Sequence, residues 1–403
     1  MLVLHLKLSA LGVLVGLLGG AVGAAFAHTL SLSTSFRESA PWLILLLPLG
    51  AVATVVLYRV FDMSDHGGTN EIIHGVINQS KIRSIAAPLI FVSTAITHLF
   101  GGSAGREGAA IQLGGAGAAA VSDVLKLKDD ERSVFILSGM SALFSGVFGT
   151  PLTATFFILE FKSNKRILPL SIIPCFVSAF AAKNVSSLLG VEEEAFILNN
   201  AVSFTLPILG KILLLSACLA LLGYAMCFIF DKSQAIAKKL LANATIRAII
   251  CSAIIIALTI CVGDMRYNNS GMEMALAAVN GEANWFDFIL KIVFTAITLS
   301  AGFKGGKIVP TFCIGATFGC IFGSIIGLDV SLAAALGIIG LFCCAANSPI
   351  GAICLGIEMF GFSALPYFII IAIVLWLLSV NKGLFDERFF KSPILSKIKI
   401  KAK

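Results

Sequence analysis

Three glycine-rich breaks interrupt apolar sequence in this chain: Gly67-Gly68-Thr69-Asn70, Gly105 to Gly108, and Gly305 to Pro310. A helix that begins at such a break turns unpaired N–H groups, and about half a positive charge, toward whatever lies before it. Glycine lets the backbone approach an ion closely, and Pro310 suits a first helical turn, where no N–H is needed. The chemistry on offer is the seating of an anion, mostly by backbone. Two charges sit inside the breaks. Glu107, between Arg106 and Gly108, either occupies the anion seat as a carboxylate and leaves it when protonated, coupling anion passage to protons, or forms a structural salt bridge with Arg106 or Lys307. Lys307 either faces the same pathway and attracts anions, or pairs permanently with Glu107, or snorkels to water. Glu160 and Glu358 end apolar runs and are read as helix caps at the membrane surface. His66 and His74 flank the first break and are read as polar neighbours, since no zinc-like spacing accompanies them.

These groups must be positioned by elements suited to lipid. The 403 residues are 58% hydrophobic and only 13% charged, against about 25% charged in ordinary soluble domains. At roughly 20 apolar residues per span, the chain holds about ten to fourteen membrane helices. The long apolar runs do not alternate, which excludes a barrel and predicts an all-α polytopic membrane protein. Full or nearly full spans are predicted at roughly 41–60, 84–100, 133–148, 168–189, 203–230, 246–263, 286–302, 331–346 and 364–380. The first apolar stretch, Leu8 to Ala27, is too long for a signal-peptide core and is read as a first span. Shorter runs at 105–122, 149–161, 308–328 and 348–361 start at Gly, Pro, Asn or charge and read as broken or tilted helices. The ten cysteines (175, 218, 227, 251, 261, 313, 320, 343, 344 and 354) lie in apolar stretches without metal or redox spacing and read as packing residues. Neither metal nor cofactor is expected.

Basic segments set the orientation. Lys162, Lys165 and Arg166, then Lys232, Lys238, Lys239 and Arg247, and the tail at 386–403 are assigned to the cytoplasm. Glu192-Glu193-Glu194 and the segment from Asp264 to Glu282 suit the outer face. The basic tail reads as a topological charge, not a nucleic-acid patch.

An internal repeat organises the breaks. GREGAAIQLGG at 105–115 answers GGKIVPTFCIG at 305–315, which sets Glu107 opposite Lys307. ALFSGVFGTPLTATFFILE at 142–160 answers GLFCCAANSPIGAICLGIE at 340–358, with the same spacing from Pro to Glu in both copies. One transmembrane domain, 1–403, with pseudo-repeat halves at about 35–190 and 203–385 is expected, and the broken helices of such halves meet near the midplane, where ligand sites form.

These motifs resemble the CLC family of anion channels and anion/proton antiporters. Gly105-Arg106-Glu107-Gly108 is similar to its GREGP signature, with Ala109 for Pro, and Gly305 to Pro310 is similar to GGxFxP, with Ile308 for Phe. The helix starts Gly149-Thr150-Pro151 and Asn347-Ser348-Pro349 fit as well, and the resemblance runs from about 60 to 385. It implies an inverted repeat of tilted helices, a homodimer with one pore per subunit, Glu107 as the gating glutamate, and backbone N–H groups near Ile308 and Val309 that seat the anion. The family's GSGIP signature becomes Gly67 to Glu71, without the selectivity serine. GTNEII, HLFGGSAGREG and GFKGGKIVP resemble the bacterial fluoride-transporting branch, although that branch commonly has Glu at Lys307 and Thr at Val309. The internal proton glutamate of chloride/proton antiporters aligns with Phe161, and Phe385 falls where many members place a pore tyrosine.

The anion-binding set read from these motifs is Gly67, Gly68, Thr69, Asn70, Gly105, Arg106, Gly108, Lys307, Ile308, Val309 and Phe385. The expected function is transport of a small monovalent halide, fluoride or chloride, gated by Glu107 and coupled to protons, in the inner membrane of a bacterium. A passive chloride channel is the alternative. An intramembrane enzyme using Glu107 with His66 or His74 is the remote one, so no enzyme is expected. Partners are the halide, protons, a second copy and membrane lipid, with no nucleic acid.

Overall fold

The computed structural model describes residues 2–161, 167–196, 198, 205–379 and 383–385, so Lys162, Lys165, Arg166 and the 386–403 tail lie outside the described residues. Among the described residues the chain is helical throughout, with no extended strand. The N-terminal apolar stretch forms α1 (Leu2–Ser39), and a 3-10 turn over Pro41–Leu46 leads into α2 (Leu47–Val60). α3 (Thr69–Ile77) follows the first glycine break. α4 (Ala86–Phe100), α5 (Glu107–Val124), α6 (Asp129–Phe148), α7 (Pro151–Leu159) and α8 (Ile167–Leu188) then run in close succession. The second half contains α9 (Leu206–Leu240), α10 (Ala244–Val262), α11 (Met272–Val279), α12 (Asp287–Ala301), α13 (Ile308–Ile326), α14 (Val330–Ala346), α15 (Pro349–Phe360) and α16 (Leu365–Leu378).

Among the described residues, six helical stretches are long and apolar enough to cross a membrane, and four more apolar helices are shorter. The protein is therefore a multi-pass membrane protein. The broken helices start where the sequence supplies a break: α7 and α15 begin at Pro151 and Pro349, and α5 and α13 begin two residues after Gly105 and Gly306. α9 continues beyond the predicted 230 because Asp231 to Leu240 adds a polar helical extension whose Lys238 and Lys239 complement the negative helix end.

The run α4–α7 returns as α12–α15, in the same order and with similar lengths. Small residues make the equivalent crossings. A Cβ on Gly114 would overlap the Gly139 carbonyl where α5 meets α6, and one on Gly315 would overlap the Gly337 carbonyl where α13 meets α14. In lipid, where apolar burial drives little helix association, such close backbone approach is a main source of packing energy.

α7 and α15 cap one another. Glu160, at the C-terminal end of α7, accepts from the N–H groups of Ile350 (2.8 Å) and Gly351 (3.2 Å) and from the Ser348 hydroxyl, all at the start of α15. Glu358, on α15, accepts from Leu152 N (2.7 Å), Thr153 N (2.8 Å) and Thr153 Oγ1 (2.7 Å) at the start of α7. The two glutamates are caps, as expected, but each caps the other's helix inside the protein. Because Glu358→Ala strips three donors of their acceptor, it is expected to destabilise the fold by about 3 kcal/mol. Thermal unfolding in detergent would show it as a lowered midpoint; an unchanged midpoint would mean the caps contribute nothing.

Candidate functional site

The N-termini of α5 and α13 meet head to head. Gly105 N donates to Gly306 O (2.8 Å) and Gly306 N donates to Gly105 O (2.5 Å), an isolated antiparallel bridge between two broken helices. The exchange needs bare backbone on both sides, because a Cβ on Gly306 would lie 2.6 Å from Gly108 N and 3.2 Å from Gly105 O. Gly306→Ala is expected to cost about 1–3 kcal/mol by overpacking and to lower halide flux several-fold, measured on the reconstituted protein.

This junction separates two cavities. The larger, about 700 Å³, is bordered by Arg59, Lys238, Arg247, Lys304 and Lys307 and is strongly basic. The other, about 560 Å³, has both signs, with Arg37, Arg106 and Arg266 beside Glu194, Asp264 and Glu273. Gly67, Gly68, Thr69, Asn70, Gly108, Lys307 and Phe385 line the basic cavity. Arg106, Glu107 and Val309 line the mixed one. Gly105 and Ile308 are buried in the wall between them. The structure thus gathers the whole sequence-derived set around one junction, divided between its two sides.

Glu107 is the first residue of α5 and only 1% exposed. Its Oε2 accepts from Arg106 N at 3.1 Å, and its Oε1 lies 3.4 Å from Arg106 Nε. The Arg106 guanidinium also pairs with Glu194, so one cation holds two carboxylates. The ion pair of Glu107 is with Arg106, and Lys307 stands in the other cavity. Helix starts also shift the repeat register by one residue. Arg106 and Lys307 are the residues that precede α5 and α13, and Glu107 corresponds to Ile308. Two-fold related halves that run oppositely would place equivalent residues on opposite sides, as Arg106 and Lys307 are.

On the basic side, Thr69 Oγ1 donates to Gly108 O (3.4 Å) and Gln112 Nε2 donates to the same oxygen (3.2 Å), tying α3 to the first turn of α5. Phe385 packs edge-on against Phe161 (5.4 Å between ring centres) and Phe157 (5.8 Å). Phe161, which the resemblance aligns with an internal proton glutamate, thus lies in aromatic core. Lys304 lies over the Tyr58 ring at 4.3 Å, a cation–π contact that holds its charge at the cavity wall.

His66 Nδ1 lies 2.8 Å from Glu71 Oε2 and faces the basic cavity, but Nε2 is buried without a hydrogen-bond partner among the described residues, so the expected polar neighbour is only partly satisfied. Among the described residues no group of His, Cys, Asp and Glu could hold a metal. All ten cysteines are free, and Cys261 alone among them is exposed. Glu194 was read from the sequence only as an outer-face acid. Its pairing with Arg106 spans 88 positions, and no local signal announces it. Arg37 and His98 also line the mixed cavity, and no sequence motif marks either.

Comparison with known proteins agrees with this geometry. The family described as Voltage gated chloride channel matches residues 49–378. A chloride/fluoride channel protein of Pseudomonas syringae pv. tomato is 32% identical over 390 residues, covering 95% of this chain and 86% of that protein. An H(+)/Cl(-) exchange transporter of Vibrio cholerae is 23% identical over 96% of this chain and 88% of its own length. Among solved structures, the crystal structure of a CLC-type fluoride/proton antiporter superposes with a TM-score of 0.89 at 32% identity, covering 94% of this chain and 96% of that one. A slow cyanobacterial Cl-/H+ antiporter shares the fold, with a TM-score of 0.80 at 18% identity over 93% and 94% of the two chains. With the paired helix N-termini, the buried glutamate and the matched family all on one chain, the protein belongs to the voltage gated chloride channel (CLC) family.

Proposed function

We propose that the protein moves a small monovalent halide, fluoride or chloride, across the membrane, with Glu107 as a protonatable gate between the two cavities. The observation that carries this reading is the head-to-head meeting of α5 and α13 with a buried carboxylate at the first turn. Oriented N–H groups there favour an anion, and Glu107 competes with the halide for the same positive field. The residues expected to seat the ion are Gly67 to Asn70, Gly105, Gly108, Ile308 and Val309, with Arg106, Lys307 and Phe385 shaping the approach.

Lys238 and Arg247 border the basic cavity, so the positive-inside rule puts that mouth in the cytoplasm. Glu194 and the Asp264 to Glu273 segment put the mixed mouth outside. The halves 35–190 and 203–385 are read as an inverted repeat, supported by the recurrence of α4–α7 as α12–α15 and by the reciprocal glutamate caps. A homodimer in a bacterial inner membrane is the expected assembly and location. The relatives described above are channels and exchangers, not enzymes. Of the acid–base pairs in the enzymatic alternative, Glu107 and His66 line different cavities, and His74 lines neither of them.

Flux of fluoride and chloride from proteoliposomes, followed with halide and pH electrodes, tests the reading. Halide efflux with opposite proton movement in fixed ratio is the expected result, and absence of flux for both halides would overturn it. A passive channel is the second reading. It is favoured by Phe161, which sits in the aromatic cluster with Phe157 and Phe385 where an internal proton acceptor would stand. Halide flux without proton movement would select it.

A further inference from the structure

The mixed cavity contains two buried nitrogens that the gate does not use. Arg37, in the last turn of α1, is 3% exposed, and its Nε has no hydrogen-bond partner among the described residues. Its one ion pair there is with its neighbour Glu38, at 3.2 Å, whose side chain is largely in solvent. His98, in the last turn of α4, is 4% exposed, and its Nε2 likewise has no partner. Both side chains line the same cavity as Arg106 and Glu107. The turn that ends α4 brings them to one place: Gly101 takes a positive φ of 83°, and a Cβ there would lie 3.3 Å from Arg37 Cδ.

A buried donor left without an acceptor costs about 1–3 kcal/mol, more when it is charged. With His98 protonated at Nε2, Arg37 and His98 present two such donors to one cavity, whose unpartnered acceptors, Glu107 Oε1, Glu194 Oε2 and Asn269 Oδ1, belong to other side chains, and a ligand that accepts from both would answer the pair. A water oxygen can accept from both donors but carries no net charge to answer the guanidinium. A halide accepts from both and is attracted by the charge. Of the acids that line this cavity, Glu107 and Glu194 pair with Arg106 and Asp264 with Arg266, and neither Glu38 nor Glu273 bonds Arg37 Nε or His98 Nε2.

We propose that Arg37 and His98 form an anion-binding site in the outer cavity, separate from the seat at the helix N-termini, which takes a halide before it reaches Glu107. His98 donates there through Nε2–H in the corresponding neutral tautomer, and Arg37 donates through Nε–H while supplying the charge. The site rests on the halide-transport reading and adds to it a capture step on one face.

Sided measurement in planar bilayers tests it, with halide varied on one face at a time. Arg37→Gln and His98→Leu are each expected to raise the half-saturating halide concentration on the mixed-cavity face by about tenfold, the loss of one hydrogen bond to a charged group. The value for the opposite face should stay as in the unaltered protein. Half-saturation on the mixed-cavity face unchanged from the unaltered protein in both variants would overturn the site. Failure of the unaltered protein to carry either halide would instead overturn the transport reading. If either variant does not fold, bromide-soaked crystals of the unaltered protein decide: an anomalous peak in contact with Arg37 Nε and His98 Nε2 supports the site. Bromide at the helix N-termini with none at this pair overturns it.

Discussion

On the proposed gating reading, replacing Glu107 by Gln is expected to abolish proton movement while halide flux continues and loses its dependence on pH. The carboxylate is held by charge. It stands at the positive start of α5, accepts from Arg106 N at 3.1 Å, and lies 3.4 Å from Arg106 Nε. Protonation removes that charge and with it the attraction of the helix end and the guanidinium, together about 2 kcal/mol or more. Such a change shifts the balance between a seated and a withdrawn side chain by roughly thirtyfold. Glutamine has the shape of the protonated acid and no proton to exchange, so it holds the withdrawn state at every pH. Simultaneous recording of halide and pH in proteoliposomes checks this. Proton movement that persists in fixed ratio in Glu107→Gln would remove Glu107 from the gate. Loss of all halide flux would make the residue structural, a partner for Arg106 and no more.

Much of this arrangement was legible in the chain before any coordinates. Lipid imposes one requirement, internal satisfaction of every backbone polar group, and sequence answers it locally. The apolar runs at 84–100 and 286–302 became α4 and α12 with ends shifted by only one or two residues. The glycine and proline breaks foretold where α5, α7, α13 and α15 begin, because these residues control which backbone angles and donors are available. What stayed hidden depends on contacts between distant positions. Glu160 and Glu358 were recognisable as caps, yet nothing local says that each would cap the other's helix. The one-residue shift that pairs Arg106 with Lys307, in place of Glu107 with Lys307, was invisible in a glycine-rich alignment, where offsets of 200 and 201 each match two glycines over 105–115. It matters because it moves the two charges to opposite sides of the junction. Arg37 and His98 belong to α1 and α4 and meet only through the turn at Gly101, so spacing could not bring them together.

That separation of sides gives Lys307 a role that differs from the one a shared pathway would imply. It borders the basic cavity with Arg59, Lys238, Arg247 and Lys304, and no carboxylate within salt-bridge distance answers it among the described residues. Among the described residues, Asp65 is the one acid on the lining against these five cations, and a cleft dominated by one sign of charge raises the local concentration of counter-ions by tenfold to a thousandfold. Lys307 is the member of that group next to the α13 N-terminus, where the anion is expected to sit. Lys307→Glu replaces attraction by repulsion at the last step before the seat and restores the charge common in the fluoride-transporting branch. Halide flux entering from the basic side at low concentration is expected to fall about tenfold, with a much smaller change for entry from the mixed side. High salt should close the gap, since the Debye length shrinks from about 10 Å at 0.1 M to 3 Å at 1 M. Two alternatives give different outcomes. If Lys307 only snorkels to water, flux from both faces stays as it was. If the lysine held the fold through an unseen pairing, Lys307→Gln and Lys307→Glu would lower thermal stability alike and flux from both faces would fall together, independent of salt. A deficit confined to one face and relieved by salt is what a steering charge in the basic cavity requires.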